Sequence, residues 1–301
     1  EDVYIGGVLE HIEEAGIHSG DSACCIPPFS LSDSLVKQLR DIAWRLALAI
    51  GVRGLLNIQF AVKDQQVFVI EANPRASRTV PFVSKATGVP LAKVAARVMA
   101  GEQLADMDLP ADDRELGYCA VKEAVMPFGR FPGTDVVLGP EMKSTGEVMG
   151  IAPSFPPAYA KTQLAISYEL PREGAVFISV ADRDKRSVAA IARDFARLGF
   201  EVVSTGGTAK ALAASGVPCR KVNKVSEPHP NIADLIADGD IKLMINTPFG
   251  HGSRGDGHVL RLAAVRHGIT YATTIAAAQA LAAAMEVARE DGLGVIALQD
   301  L

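Results

Sequence analysis

Two neighbouring runs of alternating polar and apolar residues lie between Gly54 and Arg78, on either side of the polar segment Lys63-Asp64-Gln65-Gln66. Alternation of this kind predicts two β-strands joined by a tight turn. Symmetry about Gln65 puts four polar side chains on one face, in two facing pairs: Gln59 with Glu71, and Asn57 with Asn73. The apolar side chains are predicted to share the opposite face: Leu56, Ile58, Phe60, Val62, Phe68, Ile70 and Ala72.

Helical periodicity appears on both sides of this hairpin. The segment Ser32–Ile50 has apolar residues at three- and four-residue steps, with Ser32 as a predicted N-cap and Gly51 as a stop. A second helix is predicted from Pro90 to Gly101, because proline favours the first turn of a helix. The run Cys119–Val125 alternates like a strand.

From Ala175 onward, strand and helix patterns alternate regularly, which predicts a parallel, doubly wound sheet. The predicted strands are Ala175–Val180, Phe200–Val203, Cys219–Val222, Ile241–Ile245 and Ile269–Tyr271. The predicted helices are Arg186–Leu198, Ala209–Ala214, Val259–Arg266 and Ile275–Ala288. The pattern breaks at Tyr168–Gly174, so we expect one domain at residues 1–167 and another at residues 168–301.

Composition excludes several classes of protein. The chain has 301 residues, 49% of them hydrophobic, and a formal net charge of −5, so no overall charge favours nucleic acid. No apolar run is long enough for a bilayer, so we expect no membrane partner. The cysteines have neither zinc-ligand spacing nor a disulfide framework: Cys24, Cys25, Cys119 and Cys219. Free thiols in a reducing cytosol, and hence a cytoplasmic location, are expected.

The polar face of the hairpin is a candidate metal site. Oxygen-bearing side chains suit a hard cation such as Mg²⁺, which binds alongside substrate phosphates. Just beyond them, Arg75 and Arg78 offer guanidinium groups for phosphate or carboxylate. The alternative is a solvated polar face of a half-exposed sheet, which is the commoner use of such alternation.

The turn Ser204–Thr208 is a second candidate site. It follows a predicted strand and opens a helix, so its glycine amides, hydroxyls and helix N-terminus favour a phosphate. Lys185, Lys224 and the pair Asn246-Thr247 follow other strands and are expected at the same sheet edge. The alternative is an ordinary turn with solvated lysines.

Longer motifs resemble known families. Gln59 and Glu71-Ala-Asn73-Pro-Arg75 resemble the metal-binding end of ATP-grasp ligases. The continuation to Gly88, Ala-Ser-Arg-Thr-Val-Pro-Phe-Val-Ser-Lys-Ala-Thr-Gly, resembles the large subunit of carbamoyl phosphate synthases, and the resemblance extends through most of the chain. The C-terminal half resembles the methylglyoxal-synthase-like fold. The expected α/β fold is therefore a partial ATP-grasp (α+β) unit followed by a doubly wound, Rossmann-like parallel-sheet domain of methylglyoxal-synthase-like type.

The resemblance implies an ATP-dependent carbon–nitrogen ligase that makes carbamoyl phosphate from bicarbonate, glutamine-derived ammonia and ATP, for pyrimidine and arginine synthesis. This half would phosphorylate carbamate. It implies ATP, Mg²⁺ or Mn²⁺ and K⁺ as cofactors, and a glutaminase small subunit as partner. The chain lacks an initiator Met and a nucleotide-base pocket before the hairpin, so we expect a longer parent protein and no activity from these residues alone.

The resemblance also assigns roles to individual residues. The metal ligands would be Gln59, Glu71 and Asn73, and the catalytic cations would be Arg75 and Arg78. His18 would lie beside ATP, with His11 and Ser22 near a monovalent cation. An ornithine site would contain Glu13, Asp21, Glu123 and Thr273. A site for UMP or IMP would contain Ser179, Lys185, Thr205, Thr208, Lys224, Asn246 and Thr247.

Two alternatives stay open at this point. The chain is either part of such a ligase or a regulatory module that binds nucleoside monophosphates without catalysis. Another ATP-grasp ligase such as a carboxylase would share Glu71–Arg75 but not the continuation to Gly88. Residues 246–250 carry no aspartate equivalent to the methylglyoxal synthase base, so the C-terminal domain is expected to bind without catalysis. Locally, Gly20-Asp21-Ser22 also fits an ordinary surface turn.

Overall fold

The computed structural model describes residues 2–111, 115–131, 133–168, 170–248, 255–290 and 293–300. The strands of the N-terminal unit are β1 (Glu10–His11), β2 (Cys24–Ile26), β3 (Asn57–Lys63), β4 (Gln66–Asn73), β5 (Cys119–Val125) and β6 (Gly146–Ala152). Its helices are α1 (Asp33–Ile50), α2 (Thr79–Thr87), α3 (Leu91–Met99) and α4 (Phe155–Ala165). Strands β1, β2, β5 and β6 form an antiparallel sheet in that order, while β3 and β4 form a separate hairpin.

The hairpin confirms the predicted facing pairs, but its geometry differs from the symmetric expectation. Asp64 and Gln65 both have positive φ, 50° and 63°, as the two central residues of a type I′ turn require. The turn is therefore centred between them, which alone would pair Gln59 with Ile70. A bulge at Ile70 restores the pairing of Gln59 with Glu71.

The predicted apolar face of the hairpin is wrong beyond the bulge. Phe68 lies opposite Ala61, on the side of Gln59, because the bulge reverses which face each residue of the outer half of β4 occupies. Phe60 instead faces Val69. The outer half of the hairpin is also largely solvent-exposed, with Phe68 49% exposed.

Helix α1 begins and ends as the sequence predicts. The Ser32 side chain accepts a hydrogen bond from the amide of Leu35, and Gly51 ends the helix in the left-handed conformation with φ 70°. The predicted second helix is confirmed as α3, which follows Pro90. Helices α2 and α4 were not predicted by the periodicity.

The C-terminal unit is the predicted parallel sheet. Its strands are β7 (Ala175–Ser179), β8 (Glu201–Thr205), β9 (Arg220–Val222), β10 (Ile241–Asn246) and β11 (Thr270–Ala272). Its helices are α5 (Lys185–Arg197), α6 (Gly206–Ala214), α7 (Ile232–Ala237), α8 (Asp256–Arg266) and α9 (Ile275–Glu290). The strand order is β11-β10-β7-β8-β9, with all neighbours parallel.

The two units share a hydrophobic core. Helix α4 packs against β5 and β6 of its own unit and against α9 of the C-terminal unit. Phe155 and Tyr159 of α4 join the same buried cluster as Leu281 and Met285 of α9. Separating the two units at residue 168 would therefore expose apolar surface on both of them. No helix in the described ranges is long and apolar enough to cross a membrane.

Candidate functional site

The β3 side of the hairpin lies at a cavity of about 500 Å³, whereas Glu71 and Asn73 of β4 are not among its lining residues. Its lining includes Asn57, Gln59 and Arg75. Gln59 Nε2 donates to the carbonyl oxygen of Ile17 at 3.2 Å, which fixes the amide and leaves its oxygen free to accept or ligate. Glu71 is exposed opposite Gln59 and supplies the charge of the set.

These side chains fit a hard cation. One carboxylate with amide oxygens is a typical donor set for a magnesium ion that keeps water and substrate phosphate as its other ligands. The alternative type of site, a cluster of three or more His, Cys, Asp or Glu side chains, is not found among the described residues. The predicted ligands Gln59, Glu71 and Asn73 share one face of the hairpin, because Gln59 pairs with Glu71 and Asn57 with Asn73.

The two predicted catalytic arginines lie in different surroundings. Arg75 is exposed, and its Nη1 donates to the Ala76 carbonyl oxygen at 3.0 Å. Arg78 is anchored: Nη1 donates to Ser144 Oγ at 2.8 Å, and Nε lies 3.3 Å from Glu147 Oε1. Arg78 therefore has a defined position, whereas Arg75 is free to meet a ligand from solvent.

A second cavity of about 330 Å³ lies beside Arg78 and contains cations that the sequence patterns did not predict. Its charged lining residues are Arg78, Lys85, Lys122 and Glu147. Lys122 is fully buried, and its Nζ donates to the Ser19 carbonyl oxygen at 3.2 Å. A Lys-Glu pair within the alternating strand β5 was the available signal, because buried charges are rare without a partner or a function.

Two carboxyl groups of the predicted ornithine set lie close enough to affect each other. Burial raises the pKa of Glu13 to about 8, and the negative charge of Glu123 adds to the rise. Burial likewise raises the pKa of Glu123 to about 7. Glu13 accepts from the Ala23 amide at 2.7 Å, and Glu123 from Gln163 Nε2 at 3.0 Å. Such a pair favours a proton or a cation between its members.

The other two members of that set are placed differently. Asp21 is buried, and its two oxygens accept from the amides of Lys143 and Ser144 at 2.7 and 3.0 Å. Its carboxylate thus holds the segment that carries Ser144. Thr273 follows β11 and is half-buried, and within the described residues its side chain forms no hydrogen bond to Glu13, Asp21 or Glu123.

The residues expected beside the nucleotide and the monovalent cation also lie in this region. His18 Nδ1 accepts from the Gly20 amide at 3.0 Å. Burial, with the charge of Lys122 as a second cause, lowers the pKa of His11 to about 4, so its imidazole is neutral at pH 7. The Ser22 hydroxyl is buried and has no hydrogen-bond partner among the residues that the structure describes. An unpartnered buried oxygen is a suitable ligand for a cation.

The residues of the second candidate site, which we call the phosphate cradle (the turn Ser204–Thr208 with Lys185 and Lys224), lie at the carboxyl edge of the parallel sheet. A Cβ atom added to Gly207 would lie 3.0 Å from Lys185 Nζ, and one added to Gly206 would lie 4.0 Å from Lys224 Cε. Both lysines therefore lie at the N-terminus of α6, where the helix amides also favour an anion. Within the described part of the chain, the side chain of Thr205, the N-cap of α6, makes no capping hydrogen bond.

The remaining predicted residues of this edge hold the loop that follows β7. Thr208 Oγ1 accepts from the Val180 amide at 3.2 Å, and Thr247 Oγ1 from the Ala181 amide at 2.8 Å. Asn246 Nδ2 donates to the Ser179 carbonyl oxygen at 2.8 Å. Of the irregular segment 250–257, residues 250–254 lie outside the described residues.

Two family models match the chain. "Carbamoyl-phosphate synthase L chain, ATP binding domain" matches residues 7–107, and "MGS-like domain" matches residues 187–273. The chain therefore combines an ATP-grasp-type unit with a methylglyoxal-synthase-like domain, as predicted.

Relatives that are similar to this chain over almost its whole length identify one family within this class of protein. The chain is 52% identical to the "Carbamoyl phosphate synthase large chain" of Methanothermobacter thermautotrophicus, over 99% of this chain and 28% of that protein. It is also 52% identical to the "Carbamoyl phosphate synthase large chain, C-terminal section" of Methanopyrus kandleri, over 99% of this chain and 56% of that protein. The chain belongs to the carbamoyl phosphate synthase large-chain family and matches its C-terminal section.

Similarity to solved structures is weaker. A methylglyoxal synthase from Elizabethkingia anophelis is 19% identical with a TM-score of 0.31, over 37% of this chain and 78% of that chain. At this score the likeness supports no conclusion.

The chain spans only 28% of the length of the Methanothermobacter large chain, so the activity of a whole large chain is a proposal for this protein.

Proposed function

We propose that this chain supplies part of the site with which a carbamoyl phosphate synthase phosphorylates carbamate. That part consists of the polar face of the hairpin, called here the metal face (Asn57, Gln59, Glu71 and Asn73), and of the phosphoryl-binding Arg75 and Arg78. The observation that carries the proposal is the pairing of Gln59 with Glu71 and of Asn57 with Asn73 on one face of the hairpin. A purely regulatory module would have no use for this polar face. The match of residues 7–107 to the ATP-binding domain of the family also favours a catalytic unit over such a module.

In this mechanism Gln59, Glu71 and Asn73 would hold the metal. Bound Mg²⁺ or Mn²⁺ would neutralise charge on the ATP phosphates. Gln59 is kept in place by its bond to Ile17, so its free oxygen is pre-oriented. Phosphoryl transfer depends mainly on such positioning and on charge stabilisation, and it needs no protein nucleophile.

The arginines orient the anions. Arg78, anchored by Ser144 and Glu147, presents a fixed positive charge at the cavity that also contains Lys85 and Lys122. A cavity of about 330 Å³ with this excess of cations suits a small anion such as carbamate. Exposed Arg75 is free to contact a phosphate of ATP, near which His18 would also lie.

The remaining sites would regulate or support this step. The cradle of Thr205, Lys185 and Lys224 would bind a nucleoside monophosphate such as UMP or IMP. Glu13 and Glu123 would bind the cationic amine of ornithine, and the unpartnered Ser22 hydroxyl with His11 nearby would serve a K⁺ site. Ammonia would come from a glutaminase small subunit in the cytoplasm.

The deciding experiment is the partial reaction in which carbamoyl phosphate and ADP form ATP. It reports on the carbamate-phosphorylating half without bicarbonate, glutamine or a second subunit. The full-length large chain should catalyse it, and variants of the metal face should not. A large chain that keeps this reaction after loss of Glu71 would contradict the proposal.

A further inference from the structure

A path of hydrogen bonds leads from the edge of the parallel sheet into the N-terminal unit. Asn246, which holds the Ser179 carbonyl oxygen, accepts from Arg261 Nη1 at 2.8 Å. The other nitrogens of Arg261 grip Asp135: Nε lies 2.8 Å from Oδ1 and Nη2 lies 2.6 Å from Oδ2. His258 Nδ1 lies 3.0 Å from the same Oδ2. Arg261 and His258 belong to α8, whereas Asp135 belongs to the N-terminal unit, so this clamp joins the two units.

From Asp135 the path continues to Arg78. Lys143 Nζ donates to two carbonyl oxygens of the same loop, at 2.8 and 3.3 Å, and the second of these belongs to Asp135. The amides of Lys143 and Ser144 are held by Asp21. Ser144 Oγ in turn accepts from Arg78 Nη1 at 2.8 Å. Each step is a direct contact between described residues.

The Asp135–Arg261 clamp is well suited to transmit a change in position. The Arg261 side chain is 5% exposed and that of Asp135 is 19% exposed, so solvent screens the pair only weakly. Two parallel bonds between a guanidinium and a carboxylate also define direction as well as distance. A rotation of Arg261 therefore moves Asp135 with it.

The charge of Asp135 is maintained over a wide pH range. Burial raises the pKa of this carboxyl, but hydrogen bonds from Arg261 and His258 outweigh that effect and hold the pKa at about 2. The carboxylate is thus ionised under all conditions in which the protein would be assayed.

We propose that Asp135 is a positioning residue that couples the nucleoside monophosphate site to Arg78. A ligand that forms a hydrogen bond with Asn246 changes the bond between Asn246 Oδ1 and Arg261 Nη1. Arg261 then shifts Asp135, and Asp135 passes this displacement through Lys143 to the segment that holds Arg78. Coupling of this kind requires that the ligand favour one arrangement of the path over another. The inference rests on the proposed function, since it assigns a route for the regulation of the same catalytic site.

The test is amide hydrogen exchange on the 301-residue chain with UMP as the probe. In the unmodified chain, UMP should slow exchange at residues 205–208 and also at residues 143–147. In Asp135→Asn, UMP should still protect 205–208 but no longer 143–147. Without any nucleotide, Asp135→Asn should speed exchange at 143–147 by about tenfold, the scale for loss of a hydrogen bond to a charged group.

Two further variants make the result specific. Asp194→Asn removes an exposed carboxylate paired with Arg197 on α5 and should leave both segments as in the unmodified chain. Lys143→Met breaks the path on the far side of Asp135 without touching the clamp, and it should also uncouple the two segments. It keeps the test decisive if Asp135→Asn destabilises the whole fold.

The outcomes separate the two proposals. UMP protection of 143–147 that persists in both path variants would overturn the coupling role of Asp135. Protection of 205–208 alone in the unmodified chain would overturn it as well, while leaving the nucleotide site intact. Lack of protection at 205–208 in the unmodified chain would refute the nucleotide site, and the coupling role with it.

Discussion

Gln59 lies directly opposite Glu71 across the hairpin, and a bulge at Ile70 produces this register. The bulge offsets a turn centred between Asp64 and Gln65. Bulges of this kind occur where a strand must direct a particular side chain. The pairing therefore places one carboxylate and one amide side by side, with Asn57 and Asn73 as the next pair.

Glu71→Gln should abolish most of the carbamate-phosphorylating activity of the full-length large chain. The substitution keeps the shape of the side chain and removes the charge of the donor set, so we expect a loss of about two orders of magnitude or more. The measurement is ATP formation from carbamoyl phosphate and ADP. Glu102→Gln is the control, because Glu102 is an exposed acid whose partner is Arg97. Equal losses in both variants would contradict a metal role for Glu71.

Lys224→Ala should weaken the binding of UMP by about 1.5–3 kcal/mol, the range for a hydrogen bond to a charged group, or roughly tenfold or more. Uridine should bind far more weakly than UMP, and added salt should weaken UMP binding. Calorimetry on the whole 301-residue chain is the measurement, since the shared core makes an isolated C-terminal unit unsuitable. Lys210→Ala, an exposed lysine on α6, is the matched control. Equal affinity for UMP and uridine would rule out the phosphate cradle.

Gly207→Ala should weaken UMP binding several-fold, whereas Gly206→Ala should have a smaller effect. A Cβ at Gly207 would lie 3.0 Å from Lys185 Nζ and would push the ammonium group away from the helix N-terminus. A Cβ at Gly206 would make only an ordinary contact at 4.0 Å with Lys224. The flexible end of a lysine adapts at little cost, so neither variant should lower the thermal midpoint appreciably. Identical UMP affinities in the two variants would show that Lys185 does not act at this position.

Local patterns predicted much of this fold because the information is itself local. Alternation along β3 and β4 predicts a polar face, and the strand–helix repeat after Ala175 predicts a parallel sheet whose carboxyl edge gathers Lys185 and Lys224. Contacts between distant residues could not be predicted in this way. Asp135 and Arg261 are 126 positions apart, and neither lies in a recognisable motif.

The bulge in β4 and the buried Lys122 are two further features that the sequence pattern could not predict. A one-residue bulge leaves no pattern in composition, yet it moves Phe68 to the polar side of the hairpin. Lys122 was visible as a charge beside Glu123 in an alternating strand, but only the packing of β5 between β2 and β6 shows that it is fully buried. Polar groups were thus predicted where alternation or a strand end marks them, and Lys122 was missed because neither signal distinguishes a buried lysine from a solvated one.

The buried acids Glu13 and Glu123 should make the protein less stable as the pH rises. Their pKa values in the folded chain, about 8 and about 7, lie above the ordinary value of 4.5. Between pH 4.5 and about pH 8 these two carboxyl groups therefore bind more protons in the folded state than in the unfolded state. The free energy of unfolding therefore falls as the pH increases from about 4.5 to about 8.

Glu123→Gln removes one of these two charges, and it should raise the free energy of unfolding at pH 8 by on the order of 2 kcal/mol. At pH 5, where both acids are mostly protonated in the folded chain, the same variant should differ little from the unmodified chain. Urea unfolding at the two pH values measures this difference, with the exposed Glu173→Gln as control. A stabilisation by Glu123→Gln that is the same at pH 5 and pH 8 would show that burial does not raise the pKa of Glu123 in the folded chain.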